Sequence, residues 1–352
     1  MSIFKELVTR VAKDGKTPIK EDTERVIRAL GNLSYGECES ILDESYGAGW
    51  FTSVVANEAH NRLVSAFGTI PQDWRKIVSD IVSLEDLKQR RATTFSGAPY
   101  LPSKKEHGPY ESAQFLDRGE TYTPTEYGRI FEITRKAKAN DQIGAFQRWT
   151  AEEGKAAGRS INRFVFYDLL SGAAGDGPTM SDAAKLFVAG HSNKSSGSGA
   201  LSRANLQLMF QTLHAQIGAR SEKLFFNGPY YLVVGSTDEN YDTALEFTAV
   251  QVRLGGTADI VAEPNLYGSG GRHHTEVIGT PYTGVQADAY LIAGDAPTFE
   301  LGFYQGKETP NLMQESPGTG LAFSHDLYRY RVDMAFGGFP VEWRGMVWHD
   351  DA

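Results

Sequence analysis

The sequence has 352 residues, of which 41% are hydrophobic and 22% are charged. This composition is ordinary for globular proteins and excludes a disordered or fibrous chain, and the length predicts more than one hydrophobic core. The formal net charge of −9 argues against nucleic-acid binding by bulk attraction, because phosphate binding needs clustered Lys and Arg. With a single cysteine, Cys38, an intrachain disulfide is excluded and a thiolate metal site is disfavoured.

No targeting or membrane segment is predicted. The first residues, MSIFKELVTRVAKDGK, lack the apolar region of a signal peptide. No apolar run approaches the roughly 20 residues of a membrane-spanning helix. We therefore expect a protein that folds in a reducing cytoplasm and has no membrane partner.

The first 65 residues carry only short helical patterns. Apolar positions recur at helical spacing over 1–12, 20–46 and 52–67, and glycines interrupt them. These patterns predict small helices without a core of their own. We interpret residues 1–65 as an arm that lies over another surface.

A long polar segment follows at residues 91–128. It contains Pro99, Pro102, Pro109 and Pro124 and few large aliphatic residues. Loops longer than about 12–15 residues are uncommon in compact domains, and the alternating Thr and Tyr residues favour a twisted two-stranded arm. Because an isolated two-stranded hairpin is marginal in water, we expect this arm to need a neighbouring surface.

A strand and a long helix are predicted directly behind the arm. Residues 130–135 alternate as a strand, and Asn140 or Asp141 is placed to cap a helix. Apolar residues at helical spacing continue to Leu169, and Gly172 ends the pattern. At 1.5 Å per residue, about thirty residues make a rod of about 45 Å.

The next segment predicts a small α/β layer domain. Ser202 is placed to cap a helix, residues 230–234 read as a buried strand, and 238–248 as a second helix. A further strand is predicted at 289–293. Helix, strand and helix in this order favour a layered α/β arrangement.

The last 60 residues have the period of β-strands. From Tyr328 to Met334 the aromatic and apolar residues alternate with charged ones, and the alternation resumes after Gly337-Gly338. This pattern predicts an antiparallel hairpin with one buried face. Phe299, Leu301 and Phe303 predict a third strand beside it.

Candidate catalytic and metal-binding patterns are weak. His273, His274 and Glu276 are the best metal-ligand cluster, but neighbouring histidines on a strand point to opposite faces. The loop 268–271 lacks the Lys of a phosphate-binding loop, and Ser192 and Ser198 lie in no nucleophile elbow. We predict no catalytic residues, no bound metal and no cofactor.

The order of these elements resembles the phage major capsid protein fold, known as the HK97-like fold, and its details resemble the Mu-like major head subunit (gpT-like) group. The resemblance covers roughly 70–350. It rests on Trp74 with the segment that follows it and on four sequence stretches: Asn140–Phe146, Pro229–Val234, Tyr328–Gly337 and Glu342–Gly345.

The resemblance implies an α+β fold with six segments. They are an N-terminal arm (1–65), the start of the P-domain (66–90), an extended hairpin called the E-loop (91–128), the P-domain strand and spine helix (129–177), an α/β A-domain (178–295), and the terminal P-domain antiparallel sheet (296–352). Arg329, Arg331 and Asp333 of the terminal sheet are interpreted as intersubunit ion pairs.

The implied function is that of a major capsid protein of a tailed double-stranded DNA phage, without enzymatic activity. Such subunits assemble in the host cytoplasm into pentamers and hexamers of an icosahedral virion shell, which encloses DNA without reading its sequence. Implied partners are other copies of the chain, a portal protein, and possible scaffolding and decoration proteins. The alternatives are an encapsulin-like nanocompartment shell protein and, more remotely, an unrelated hydrolase or binding protein.

The resemblance also implies that the E-loop lies across the P-domain of a neighbouring subunit. Some relatives join an E-loop Lys covalently to a neighbouring Asn, but we interpret the Lys pair here as solvated surface charge. The E-loop residues expected to make intersubunit contacts are Phe95, Tyr100, Lys104, Lys105, Tyr110, Phe115 and Arg118.

Overall fold

The computed structural model of the chain describes residues 59–95, 117–134, 145–249, 252–254, 262–268, 270–315 and 327–351, together with ten positions between 100 and 112 and residue 136. The predicted N-terminal arm lies outside the described residues except for its last seven positions. Cys38 and the predicted helix cap at Asn140 and Asp141 also lie outside them.

The fold is α+β, as predicted. The helices are α1 (59–67), α2 (Trp74–Ile77), α3 (Ala145–Arg163), α4 (Arg203–His214) and α5 (Glu239–Ala249); α3 continues as a π-helical segment (Phe164–Ser171), and a 3₁₀ turn spans Ala189–His191. The strands are β1 (Asp80–Leu84), β2 (Arg90–Phe95), β3 (Asp117–Tyr122), β4 (Thr125–Thr134), β5 (Tyr230–Gly235), β6 (Val252–Leu254), β7 (Ala262–Pro264), β8 (Thr275–Thr280), β9 (Ala289–Ala293), β10 (Phe299–Tyr304), β11 (Asn311–Gln314), β12 (Leu327–Pro340) and β13 (Met346–His349).

The chain divides into two compact units, and the described residues of the first lie in 59–71, 126–159 and 307–335. In this unit β12 pairs with β4 and, antiparallel, with β11. The ring of Phe131 stacks on that of Trp149 at 4.5 Å between centroids. Gly154 and Gly158 of α3 lie against residues 63–70, where a Cβ atom on either glycine would clash. The absence of a side chain thus lets α1 and the following turn approach the long helix closely.

The second unit comprises 72–125, 160–306 and 336–352. Its first sheet pairs β1 with β10 in parallel and β10 with the end of β12 antiparallel. Trp74, Phe299, Phe303 and Phe336 are fully buried there. These aromatic side chains supply a large apolar area, which stabilises the sheet by about 1.5–3 kcal/mol for each fully buried side chain.

The second sheet of this unit has the strand order β13-β9-β5-β8. All five residues of β9 are buried, and α4 and α5 cover β5 and its neighbours with an apolar core. The side chain of Ser202 caps α4 by accepting a hydrogen bond from the Asn205 N–H. The predicted helix, strand and helix are therefore confirmed, as is the strand at 289–293.

The predicted terminal hairpin is wrong. Strand β12 runs through Gly337 and Gly338 without turning, and β13 pairs with β9 in the other sheet. A Cβ on Gly338 would lie 2.5 Å from the Glu300 carbonyl oxygen, and one on Gly337 would lie 2.8 Å from Pro124. The two glycines therefore serve close backbone approach and do not form a turn. The third strand predicted at 299–303 is confirmed by β10.

The predicted long helix is present from Ala145, with 19 α-helical and then 8 π-helical residues, and it ends at Gly172. Gly172 has a φ of 63°, a conformation that glycine adopts without strain. Among the described residues, no helix is both long and apolar enough to cross a bilayer.

Candidate assembly surfaces

The predicted two-stranded arm is present at its base. Strands β2 and β3 pair antiparallel, with Arg90 opposite Tyr122 and Phe95 opposite Asp117. We call these two strands the arm root. The described positions between 100 and 112, which the two strands enclose in the chain, are called the arm tip.

The arm root is held by polar contacts on one face of β3. Arg118, Glu120 and Tyr122 are two residues apart, so they point to the same side of the strand. Glu120 is only 2% exposed. Its two carboxylate oxygens accept hydrogen bonds from the N–H (2.9 Å) and the hydroxyl (2.6 Å) of Ser181. A buried carboxylate is tolerated when such donors compensate for its lost hydration.

Tyr122 provides the second contact of the arm root. Its hydroxyl donates a 2.8 Å hydrogen bond to Glu300, which also pairs with Arg90 at 2.8 Å. Burial and the bond to the Glu300 carboxylate raise the pKa of Tyr122 well above its usual range. The phenol therefore stays protonated and remains a donor at physiological pH.

Arg118 provides the third contact. Its guanidinium lies 3.6 Å from the centroid of the Trp343 ring, on which His191 also stacks at 4.0 Å. Asp182 joins this group at 2.8 Å from His191 Nε2 and 3.5 Å from Arg118. Partial burial works to raise the pKa of Asp182, but hydrogen bonds from His191 and from the backbone N–H of Ala184 outweigh it and lower that pKa. The structure thus places Arg118 in contacts within its own subunit, and its predicted contact with a neighbour stays a prediction.

The arm tip has a different character. Tyr100, Leu101 and Tyr110 are 74%, 94% and 82% exposed, although they are large and apolar. Lys104 and Lys105 are also exposed, and the Lys104 ammonium lies 4.0 Å from the centroid of the Tyr110 ring. Of the other predicted arm contacts, the side chain of Phe95 and all of Phe115 lie outside the described residues.

The three charged residues of β12 lie on the first unit. Arg329 Nε is 2.7 Å from Glu132, and Arg331 is 3.3 Å from Asp333. Both ion pairs lie within one chain. The two arginines line a shallow cavity of about 260 Å³ together with the exposed side chains of Ile130 and Met313. Their role between subunits stays a prediction.

The candidate metal-ligand residues His273 and Glu276 make separate contacts in the structure. The His273 ring packs against Phe210 at 4.6 Å, whereas Glu276 pairs with Lys76 at 2.6 Å. Burial and the neighbouring His214 and Arg272 lower the pKa of His273, which favours a neutral ring in an aromatic cluster. Over the described ranges no three acidic, His or Cys side chains gather as metal ligands.

Sequence reasoning missed most of the residues that hold the arm root, namely Glu120, Tyr122, Ser181 and Trp343. The alternation in Arg118-Gly119-Glu120-Thr121-Tyr122 is a signal that one face of β3 is engaged. The hydrogen-bond partners of Glu120 and Tyr122 lie 61 and 178 residues away in the chain, so the pattern does not identify them.

The comparison with protein-family models supplies the family. The model described as "Phage capsid protein" matches residues 119–349, which is well over half of the chain. The chain belongs to the phage capsid protein family. Members of this family are structural shell proteins, so the expectation of a capsid subunit is confirmed at the level of the family. The matched span begins within β3 of the arm root and ends at the last residue of β13.

Comparisons with individual proteins add context. No curated protein matched the sequence. Among solved structures, the chain is similar to a virus-like particle from Pyrococcus furiosus (11% identity, TM-score 0.44, covering 84% of this chain and 99% of that one). It is also similar to the capsid of an empty GTA particle (12%, TM-score 0.49, covering 80% and 89%) and to a protein of Mycobacterium phage Adephagia (12%, TM-score 0.46, covering 83% and 90%).

Proposed function

We propose that this phage capsid protein is the major capsid subunit of a tailed double-stranded DNA phage. Its copies form pentamers and hexamers that close into an icosahedral shell. The observation that carries the proposal is the contrast within the arm. The root is fixed by buried polar contacts, and the tip presents large apolar side chains to solvent.

The exposed apolar side chains of the tip are expected to be buried against another subunit. Burying a large apolar side chain fully contributes about 1.5–3 kcal/mol. An intersubunit contact that buries Tyr100, Leu101 and Tyr110 would therefore contribute several kcal/mol of favourable free energy, which the isolated subunit does not gain. An arm that reaches a different patch on its neighbour makes a head-to-tail contact, and such contacts close into rings.

The remaining partners follow from a shell of this kind. A portal protein occupies one vertex, scaffolding and decoration proteins act during and after assembly, and the virion is assembled in the host cytoplasm. The shell encloses DNA without reading its sequence, in keeping with a chain of net charge −9. The arm residues proposed to contact the neighbouring subunit are Phe95, Tyr100, Lys104, Lys105, Tyr110, Phe115 and Arg118.

Electron microscopy of the purified protein tests this function. The protein is expressed alone, separated by size-exclusion chromatography and viewed in negative stain. Closed shells, capsomers or open sheets are the expected result. A protein that stays monomeric or dimeric, both alone and when expressed with its neighbouring genes, would contradict the proposal. Shells that hold a protein cargo and no DNA in their native host would instead favour a nanocompartment.

A further inference from the structure

A groove on the second unit contains an uncompensated carboxylate. The groove has a volume of about 220 Å³ and lies between the segment 218–226, residues 295–297 and the side chains of Glu342 and Arg344. We call it the Phe225 groove, because Phe225 stands at its edge with 80% of its surface exposed. The nearby Ile217 is 53% exposed. Two large apolar side chains thus flank a charged floor.

Glu222 forms the floor of the Phe225 groove and is 8% exposed. Its Oε2 accepts a hydrogen bond from the backbone N–H of Arg220, whereas Oε1 has no hydrogen-bond donor within the described part of the chain. Oε1 lies against the backbone of Gly218, where a Cβ would leave no room for it. A buried carboxylate oxygen without a donor costs free energy, which an incoming cation would recover.

The other charges of the groove do not compensate Glu222. Arg344 is engaged with both oxygens of Glu342, at 3.0 Å each, and its Nε donates to the Ile217 carbonyl at 2.7 Å. Asp295 adds a further carboxylate to the lining. Three carboxylates and one guanidinium therefore face the groove, so the groove fits an apolar segment that carries a positive charge.

We propose that the Phe225 groove receives the arm tip of a second copy of this chain. The tip has the complementary chemistry: Tyr100 and Leu101 are exposed and apolar, and Lys104 and Lys105 follow within four residues. Neither lysine has an ion-pair partner among the residues that the structure describes. A lysine ammonium of the tip then enters the groove and pairs with the Glu222 carboxylate, and the apolar side chains cover Phe225 and Ile217. This inference rests on the proposed shell function and names the surface that the arm grips.

The first test measures the protein concentration at which shells appear, by light scattering. The variants are Glu222→Gln, the double change Lys104→Gln with Lys105→Gln, and all three together; Glu246→Gln, at an exposed position on α5, is the matched control. The Glu222 variant and the lysine variant are each expected to raise the threshold about tenfold, because a charge-assisted hydrogen bond is lost. The combined variant is expected to be no worse than either. An unchanged threshold for Glu222→Gln, or a combined effect equal to the product of the two, would overturn the inference.

The second test uses engineered cysteines in assembled shells of a Cys38→Ser background. Leu101→Cys with Phe225→Cys is expected to give disulfide-linked chains on a non-reducing gel. Leu101→Cys with Met313→Cys, which probes the cavity beside Arg329 and Arg331, is expected to stay monomeric. Closed shells in which only the 101–313 pair links, or neither pair links, would overturn the groove while leaving the shell function intact. Wild-type protein that never assembles would overturn both.

A divalent cation is the competing occupant. Calcium binding in the groove would raise the melting temperature of the wild type, and Glu222→Gln would abolish this rise. No disulfide would then form between positions 101 and 225. That result would overturn the arm-tip assignment.

Discussion

The root and the tip of the arm belong to the same hairpin but differ in whether their side chains have partners within the subunit. At the root, Glu120 and Tyr122 are buried, and their polar atoms have partners in the same chain. At the tip, Tyr100, Leu101 and Tyr110 expose most of their surface. The difference indicates that the root is part of the folded subunit, and it is the basis for our proposal that the tip forms an interface. Changes at the root should therefore affect the stability of the subunit, and changes at the tip should affect assembly.

The largest expected effect comes from removing the tip. Replacing residues 99–112 with a short Gly-Ser linker leaves β2, β3 and their contacts in place. We expect assembly to be abolished at concentrations where the wild type forms shells, because the apolar tip contact is lost. Sedimentation velocity measures the loss. Thermal unfolding of the same variant is expected to match that of the unassembled wild type, and a large fall in its melting temperature would show that the tip supports the fold.

The next effect is expected at the root. Glu120→Ala removes the buried carboxylate that accepts charge-assisted hydrogen bonds from the Ser181 N–H and hydroxyl. We expect the free energy of unfolding to fall by about 2–3 kcal/mol. Urea denaturation of the unassembled subunit measures this change. Glu106→Ala on the exposed tip is the matched control, for which we expect a change within about 0.5 kcal/mol. Equal effects of the two changes would contradict the division into root and tip.

A smaller effect with a pH signature is expected for Tyr122→Phe, which removes the hydrogen bond to Glu300. At neutral pH we expect a loss of about 1.5 kcal/mol. The folded state raises the pKa of Tyr122 above its usual value of 10.0. The stability linked to its proton is therefore complete below pH 10 and is lost as the pH rises above it, since the unfolded phenol ionises first. Urea denaturation at pH 8 and pH 11 should show the difference between wild type and variant shrinking, and a constant difference would contradict this origin.

The smallest effect on folding is expected on β12. Arg331 pairs with Asp333 at the surface, and exposed ion pairs contribute little. Arg331→Ala should change the free energy of unfolding by no more than about 0.5 kcal/mol. If the predicted intersubunit role holds, the same variant raises the assembly threshold. An unchanged assembly threshold would show that Arg331 acts only within its own chain.

Much of the fold was predictable from periodicity. The helical spacing up to Leu169 predicted the helix observed from Ala145, and the apolar run at 230–234 predicted β5. The error lay at Gly337-Gly338, where a turn was inferred from composition. Those glycines lie within β12 because the backbones of Glu300 and Pro124 leave no room for a side chain. Only the packed structure shows that requirement.

The assembly surfaces were predictable in part. The polar, proline-rich composition of 91–128 predicted a projecting arm, and β2 and β3 confirm its base. The split of that arm into root and tip was not predictable, because Ser181 and Glu300 are distant in the chain and carry no motif. The Phe225 groove was not predictable for the same reason, since Glu222 stands out only because its buried Oε1 has no hydrogen-bond donor among the residues that the structure describes.

A cryo-electron microscopy reconstruction of particles assembled from the wild-type protein tests the central claim most directly. The account predicts closed shells in which each arm tip is buried against a neighbouring subunit, while the contact between Glu120 and Ser181 within the subunit is kept. Shells in which Tyr100, Leu101 and Tyr110 remain exposed to solvent would contradict the claim that the tip is the assembly surface.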